Sequence, residues 1–147
     1  EEYSSLDGVL FDKDKKLLVR FPRNHQTTFY CVPQSVTGIC HFAFQCCENI
    51  EKISIPNSIK EMGKWVFYGC KKLREINISN RITKIEKNTF FGCENLEKIY
   101  IPNSVTEFDS EIFTNCDKLT IYCHKGSAAE KYAKENNIPV SYAQENE

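Results

Sequence analysis

Residues 55–77 read IPNSIKEMGKWVFYGCKKLREIN, and residues 78–100 read ISNRITKIEKNTFFGCENLEKIY. Laid one over the other, the two segments match apolar to apolar: Ile55 on Ile78, Ile59 on Ile82, Met62 on Ile85, Phe67 on Phe90, Cys70 on Cys93 and Leu73 on Leu96. The same step continues on both sides. Phe44 and Phe113 extend the phenylalanine column, Cys47 and Cys116 the cysteine column, and Pro33, Pro56, Ser79 and Pro102 form another. So many coincident columns with no insertion exclude chance. Self-similarity at a period of about 23 residues marks a solenoid, in which each unit is one coil that buries its apolar face on its neighbours.

Within a unit the run Leu73-x-x-Ile76-x-Ile78 alternates, which predicts a short strand with one face inward. The proline that usually follows ends the strand, because it fixes φ and has no N–H to give. Stacked coils place these strands side by side, about 4.8 Å apart, as a parallel sheet. The rest of each unit is expected to return irregularly over the convex side, inserting Phe and Cys into the core. The expected architecture is an α/β-type solenoid, mainly β. It is a curved right-handed coil with a parallel concave sheet, an N-terminal β-hairpin and a C-terminal helical cap.

The two ends break the period. Val9-Leu10-Phe11 and Leu17-Leu18-Val19-Arg20-Phe21 flank a charged turn at residues 12–16 and predict the hairpin. Ser127-Ala128-Ala129-Glu130 has the form of a helix capping box, and Ala129, Tyr132 and Ala133 give one apolar face. Asn136-Asn137 and Ile138-Pro139 stop that helix, and Ile138, Val140 and Tyr142 alternate as a closing strand would. The organisation is therefore a hairpin segment at residues 1–29 and about four repeats at residues 30–123. A cap follows at residues 124–143 and a tail at residues 144–147.

Composition narrows the function. The chain has 147 residues, 41% of them apolar and 27% charged. Such a balance suits one globular domain. A net charge of -1 argues against nucleic acid, whose phosphates need a cationic surface. No apolar run approaches the roughly 20 residues that span a bilayer. The eight cysteines invite a disulfide reading. For Cys47, Cys70, Cys93 and Cys116 the favoured reading is a ladder of buried thiols, since free Cys behaves as a small apolar residue. Cys123 is expected inward too, although the last repeat is one residue short there. Cys31, Cys40 and Cys46 lie outside the apolar columns and are the candidates for exposed, reactive or paired thiols. Cys40-His41 and Cys123-His124 are neighbours in sequence, but successive strand residues point to opposite faces. His25, His41 and His124 have no ligand-like spacing. No catalytic, cofactor or metal residue is therefore assigned.

The residues resemble the BspA-type leucine-rich-repeat family. The likeness rests on the corner Ile55-Pro56-Asn57-Ser58 and its copy Ile101-Pro102-Asn103-Ser104, and on Phe67-Tyr68-Gly69-Cys70 and Phe90-Phe91-Gly92-Cys93. Residues 126–133 resemble the family's end cap, and residues 3–11 resemble an interruption the family places between repeats. Two departures stand out: Ser79-Asn80-Arg81 where proline and serine are usual, and Ala43, Val66, Thr89, Ile112 in a column usually filled by Ala. The resemblance implies a cell-surface or secreted protein that works by adhesion or by binding host protein, without chemistry. It also suggests that further coils precede this segment in a longer chain.

Strand alternation supplies the candidate site. Tyr100, Asn77, Ser54 and Cys31 share one outward column, and Lys98, Glu75, Lys52 and Phe29 share the next. A ligand on the concave sheet would meet Lys52, Ser54, Glu75, Asn77, Lys98 and Tyr100. The expected partner is an extracellular protein or a glycan. The competing expectation is a structural spacer with an ordinary solvated sheet face.

Overall fold

A computed structural model describes residues 2–142. The expected tail at residues 144–147, and residue 143 of the expected cap, lie outside the described residues.

Three N-terminal strands, β1 (Tyr3–Leu6), β2 (Val9–Asp12) and β3 (Leu17–Arg20), lead into the coils. The coils contribute strands in pairs: β4 (Phe29–Cys31) with β5 (Gly38–Ile39), β6 (Lys52–Ser54) with β7 (Glu61–Met62), β8 (Glu75–Asn77) with β9 (Lys84–Ile85), and β10 (Lys98–Tyr100) with β11 (Glu107–Phe108). After β12 (Thr120–Cys123) the chain forms α1 (Ala128–Glu135) and β13 (Val140–Tyr142).

The first strand of every coil joins one parallel sheet in the order β13-β12-β10-β8-β6-β4. Its register repeats the sequence period, with Phe29 beside Lys52, Lys52 beside Glu75 and Glu75 beside Lys98. Ile53, Ile76, Ile99 and Ile121 point inward and are buried. The helix and closing strand stand where expected. Ser127 Oγ caps the helix by accepting from Glu130 N at 3.2 Å, and β13 pairs in parallel with β12.

The return path is more regular than the expectation of an irregular convex side. The column Ile39, Met62, Ile85, Phe108 lies on two-residue parallel strands. On the third side of the coil, Phe21 N donates to Ala43 O, Phe44 N to Val66 O, Phe67 N to Thr89 O and Phe90 N to Ile112 O, at 2.8–3.1 Å. Buried backbone must pair, and the neighbouring coil is the partner within reach on every side. Two-residue strands are too short to show alternation, so the sequence pattern does not reveal them. The second sheet is split: β7 and β9 are not paired.

The N-terminal hairpin is present as β2 and β3, and β1 adds a third antiparallel strand. β3 then pairs in parallel with β5, so the hairpin is fused to the second sheet. Val9, Phe11, Leu18 and Phe21 are buried in the same core as the repeats. Phe21 is a rung that the period implies and column reading from Phe44 onward overlooks. The stacked rings Phe21, Phe44, Phe67, Phe90 and Phe113 follow one another at 5.1, 5.2, 5.1 and 5.5 Å. Beside them the thiols of Cys70, Cys93 and Cys116 donate to the carbonyls of Phe44, Phe67 and Phe90 at 2.9, 3.1 and 3.0 Å. Cysteine suits this column because it is small and apolar yet carries a donor for a buried carbonyl.

Each coil turns its third side through two left-handed residues. One column is Phe42, Trp65, Asn88 and Glu111, and the other is Cys46, Gly69, Gly92 and Asn115. At Gly69, φ is +69° and an added Cβ would lie 3.1 Å from Cys46 Sγ. Gly69→Ala should therefore lower stability by about 1–2 kcal/mol, with a smaller loss for Gly69→Asn. Urea unfolding of both variants checks this, and equal losses would show that contact, not φ, decides the position.

Candidate functional site

The outward face of the six-stranded sheet carries the expected residues in two columns. Their environments differ. Lys52 Nζ lies 3.7 Å from Glu75 Oε2 and 6.0 Å from the centre of the Phe29 ring, so both charges are engaged on the exposed face. Asn77 is held by the fold. Its Oδ1 accepts from Ile55 N at 3.0 Å and its Nδ2 donates to Ile55 O at 2.8 Å. The amide replaces a backbone rung between neighbouring coils and leaves Asn77 little to offer a ligand. Ser54 is half-buried, and its carbonyl accepts from Val32 N at 3.1 Å.

Lys98 and Tyr100 stand apart from these. Tyr100 packs on Tyr122 with ring centres 5.0 Å apart, and the Lys98 ammonium sits 5.8 Å from the Tyr122 ring centre. A cleft of about 190 Å³ opens beside them, bordered by Ile78 and His124. Sequence reading misses Tyr122 for a definite reason. A full step from Tyr100 lands on Cys123, but the last repeat is one residue short, and Tyr122 is what pairs with Tyr100. Cys123 points inward and is buried.

A second cluster lies where each coil turns from its second sheet into its third side. Trp65 is 6.1 Å from Phe42, 5.1 Å from Tyr68 and 6.4 Å from Phe91, measured between ring centres. Tyr68 and Phe91 close the group at 5.5 Å. These rings are outside the buried core, and Phe42 is 37% exposed. Phe42 and Trp65 hold φ of 61° and 60°. That left-handed conformation strains a bulky L-residue by about 1–2 kcal/mol. The signal in the sequence is present but faint: aromatics occupy columns that elsewhere hold Asn88, Glu111, Gln45 and Thr114.

Next to this cluster a cleft of about 510 Å³ follows the split between β7 and β9. His41 closes one end. Its Nδ1 accepts from Lys64 N at 2.8 Å, and a Cβ on Gly63 would lie 2.7 Å from that nitrogen, so Gly63 makes the approach possible. Because Nδ1 is committed to the backbone, it does not serve Cys40. Burial, and then the charge of Asp12, pushes the Cys40 thiol above its ordinary value, which disfavours the nucleophilic thiolate. Among the described residues, no group of three or more His, Cys, Asp or Glu is placed to hold a metal ion. No helix among them is long and apolar enough to cross a membrane.

The sequence profile described as "BspA type Leucine rich repeat region" matches residues 21–129 in six copies. Its first residue is Phe21, the first rung of the ring ladder. Among solved structures, a leucine rich cell surface protein from Faecalibacterium prausnitzii A2-165 matches with a TM-score of 0.71 and 27% identity, over 98% of this chain and 44% of that one. A leucine-rich repeat protein from Bacteroides capillosus ATCC 29799 gives 0.73 at 25% identity, over 84% of this chain and 99% of that one. The pneumococcal vaccine antigen PcpA shares the fold, with a TM-score of 0.65 at 18% identity over 98% of this chain and 48% of that one. The chain thus spans less than half the length of the first and third of these. No curated protein matches its sequence.

Proposed function

The chain belongs to the BspA-type leucine-rich-repeat family, and on that footing we propose that it is a non-catalytic recognition module of a cell-surface or secreted protein. Its ligand is a protein, held on the outward face of the six-stranded sheet. The observation that carries this reading is the group formed by Lys98, Tyr100 and Tyr122 beside an open cleft. Tyrosine dominates binding hot spots because it offers a large rigid surface and a polar end. Lys98 adds a cation held near a ring face, which favours an acidic partner group. Lys52 and Glu75 form the charged rim, and Asn77 keeps the adjoining strands in register.

The test is surface plasmon resonance of the intact chain against purified extracellular-matrix proteins and mucins. For any ligand bound, the double variant Tyr100→Ala/Tyr122→Ala should weaken affinity about 30-fold, the equivalent of about 2 kcal/mol. Unchanged affinity would move the site off this face. Absence of any bound ligand across the panel would favour the spacer reading.

A further inference from the structure

We propose that the split in the second sheet, between β7 and β9, is a docking site for an extended, uncharged peptide segment of a partner protein, recognised through its main chain. Carbonyls of the segment accept from Lys84 N and Glu86 N, and its N–H groups donate to Lys60 O and Met62 O. The site lies on a different side of the coils from the outward face of the six-stranded sheet.

The first observation is a gap in an otherwise regular set of backbone bonds. One coil earlier, Lys60 N donates to Thr37 O at 2.8 Å and Gly63 N to Ile39 O at 2.9 Å. One coil later, Thr106 N donates to Thr83 O and Asp109 N to Ile85 O, both at 3.0 Å. The period calls for Thr83 N or Lys84 N on Lys60 O, and for Glu86 N on Met62 O. Among the described residues, none of these groups has a backbone partner. Backbone groups beside a core must bond to something. Two facing rows of free donors and acceptors are edges of the kind that an added strand completes.

The second observation is that the fold holds the gap open. Gly63 has no side chain to keep the His41 ring away, and His41 Nδ1 accepts from Lys64 N at 2.8 Å, which ties β7 to the coil before it. One coil later the same two columns hold Glu86 and Lys64, and no such tie joins β9 to β7 among the described residues. β9 is drawn the other way, with Lys84 Nζ 3.9 Å from Asp109 Oδ2. On their other two sides the coils stay bonded, Arg74 N to Glu51 O at 2.8 Å and Phe67 N to Thr89 O at 2.9 Å, so the opening is local.

The third observation is the cleft that results. Its volume of about 510 Å³ is in the range of ligand sites. Leu17, Ile39, Met62 and Ile82 give it apolar walls, and Leu17 is 39% exposed. Lys60, Lys64 and Lys84 stand around it with Glu61 and Glu86, so both signs are present and charge does not choose the partner. An uncharged strand fits these walls, because its main chain carries a donor and an acceptor at every residue other than proline.

The test follows the backbone amides of the intact, isotope-labelled chain by NMR. In the free chain, Thr83, Lys84 and Glu86 should exchange with solvent at least about 10-fold faster than Thr106, Glu107 and Asp109, which keep their carbonyl partners. A pool of capped, uncharged hexapeptides of randomised sequence should shift the signals of Thr83, Lys84 and Glu86 and slow their exchange. The same pool with an N-methylated main chain cannot donate to Lys60 O and Met62 O, and should bind at least about 10-fold more weakly. A chitin trisaccharide, which carries its amides on sugars, should leave the signals unchanged. Tyr100→Ala/Tyr122→Ala should bind the pool as the wild type does, which separates this site from the one on the six-stranded sheet. Lys64→His with Glu86→Gly copies the tie of His41 and Gly63 into the next coil. Binding should be lost where that variant slows the Thr83 and Lys84 amides and kept where they remain fast; the opposite pairing would overturn the proposal. The wild-type comparisons decide independently of that variant's folding. Slow exchange of all three amides in the free chain, no shift with the pool, equal binding of the N-methylated pool, or a shift with the trisaccharide instead would each overturn it as well.

Discussion

Phe67→Ala should lower the free energy of unfolding by about 3–5 kcal/mol, toward the upper end of that range. The Phe67 ring is fully buried, with Phe44 stacked at 5.2 Å on one side and Phe90 at 5.1 Å on the other. Removing it leaves a gap whose walls cannot close. The coils on either side are tied by backbone bonds, among them Phe44 N to Val66 O and Phe67 N to Thr89 O, both at 2.9 Å. A cavity that cannot collapse costs both the transfer of the ring and the lost contacts of its lining. Phe113→Ala should cost less. Phe113 ends the ladder, retains 9% exposure, and has no stacked ring beyond it, meeting only the tilted Tyr132 ring at 6.2 Å. Urea unfolding of both variants gives the comparison. A loss below about 1 kcal/mol at Phe67 would contradict the packing described above.

Thiol labelling of the native chain should count three fast cysteines out of eight: Cys31, Cys40 and Cys46. Cys47, Cys70, Cys93, Cys116 and Cys123 are buried, and burial pushes the thiols of Cys70 and Cys93 well above their ordinary value. They react only when the coil opens, so their rates should fall by roughly 10³ or more, as expected for opening free energies of several kcal/mol. The fast group should itself be ordered. Cys31 is exposed and leads, and Cys40 lags because burial and Asp12 disfavour its thiolate. Full denaturation should release all eight. A fourth fast thiol would show that the ladder opens locally.

The sequence alone specifies the repeat, the inward columns, the capped helix and the closing strand. These features follow from side-chain polarity repeated at a fixed spacing, which a one-dimensional string carries in full. Alternation is enough to turn Ile76 and Ile99 inward, and the capping box is enough to put Ser127 at the start of the helix. Phe21 is within reach too, since it keeps the step of Phe44.

Tertiary structure decided how neighbouring coils use each other. A single missing residue in the last repeat brings Tyr122 rather than Cys123 beside Tyr100, and that creates the aromatic group with Lys98. The backbone of Ile55 takes both ends of the Asn77 amide, which removes a candidate ligand residue from the same face. Phe42 and Trp65 gather with Tyr68 and Phe91 because left-handed corners in adjacent coils turn them to the same side. In each case a polar or aromatic side chain has competing partners of similar strength, and the register and turn of the backbone choose among them.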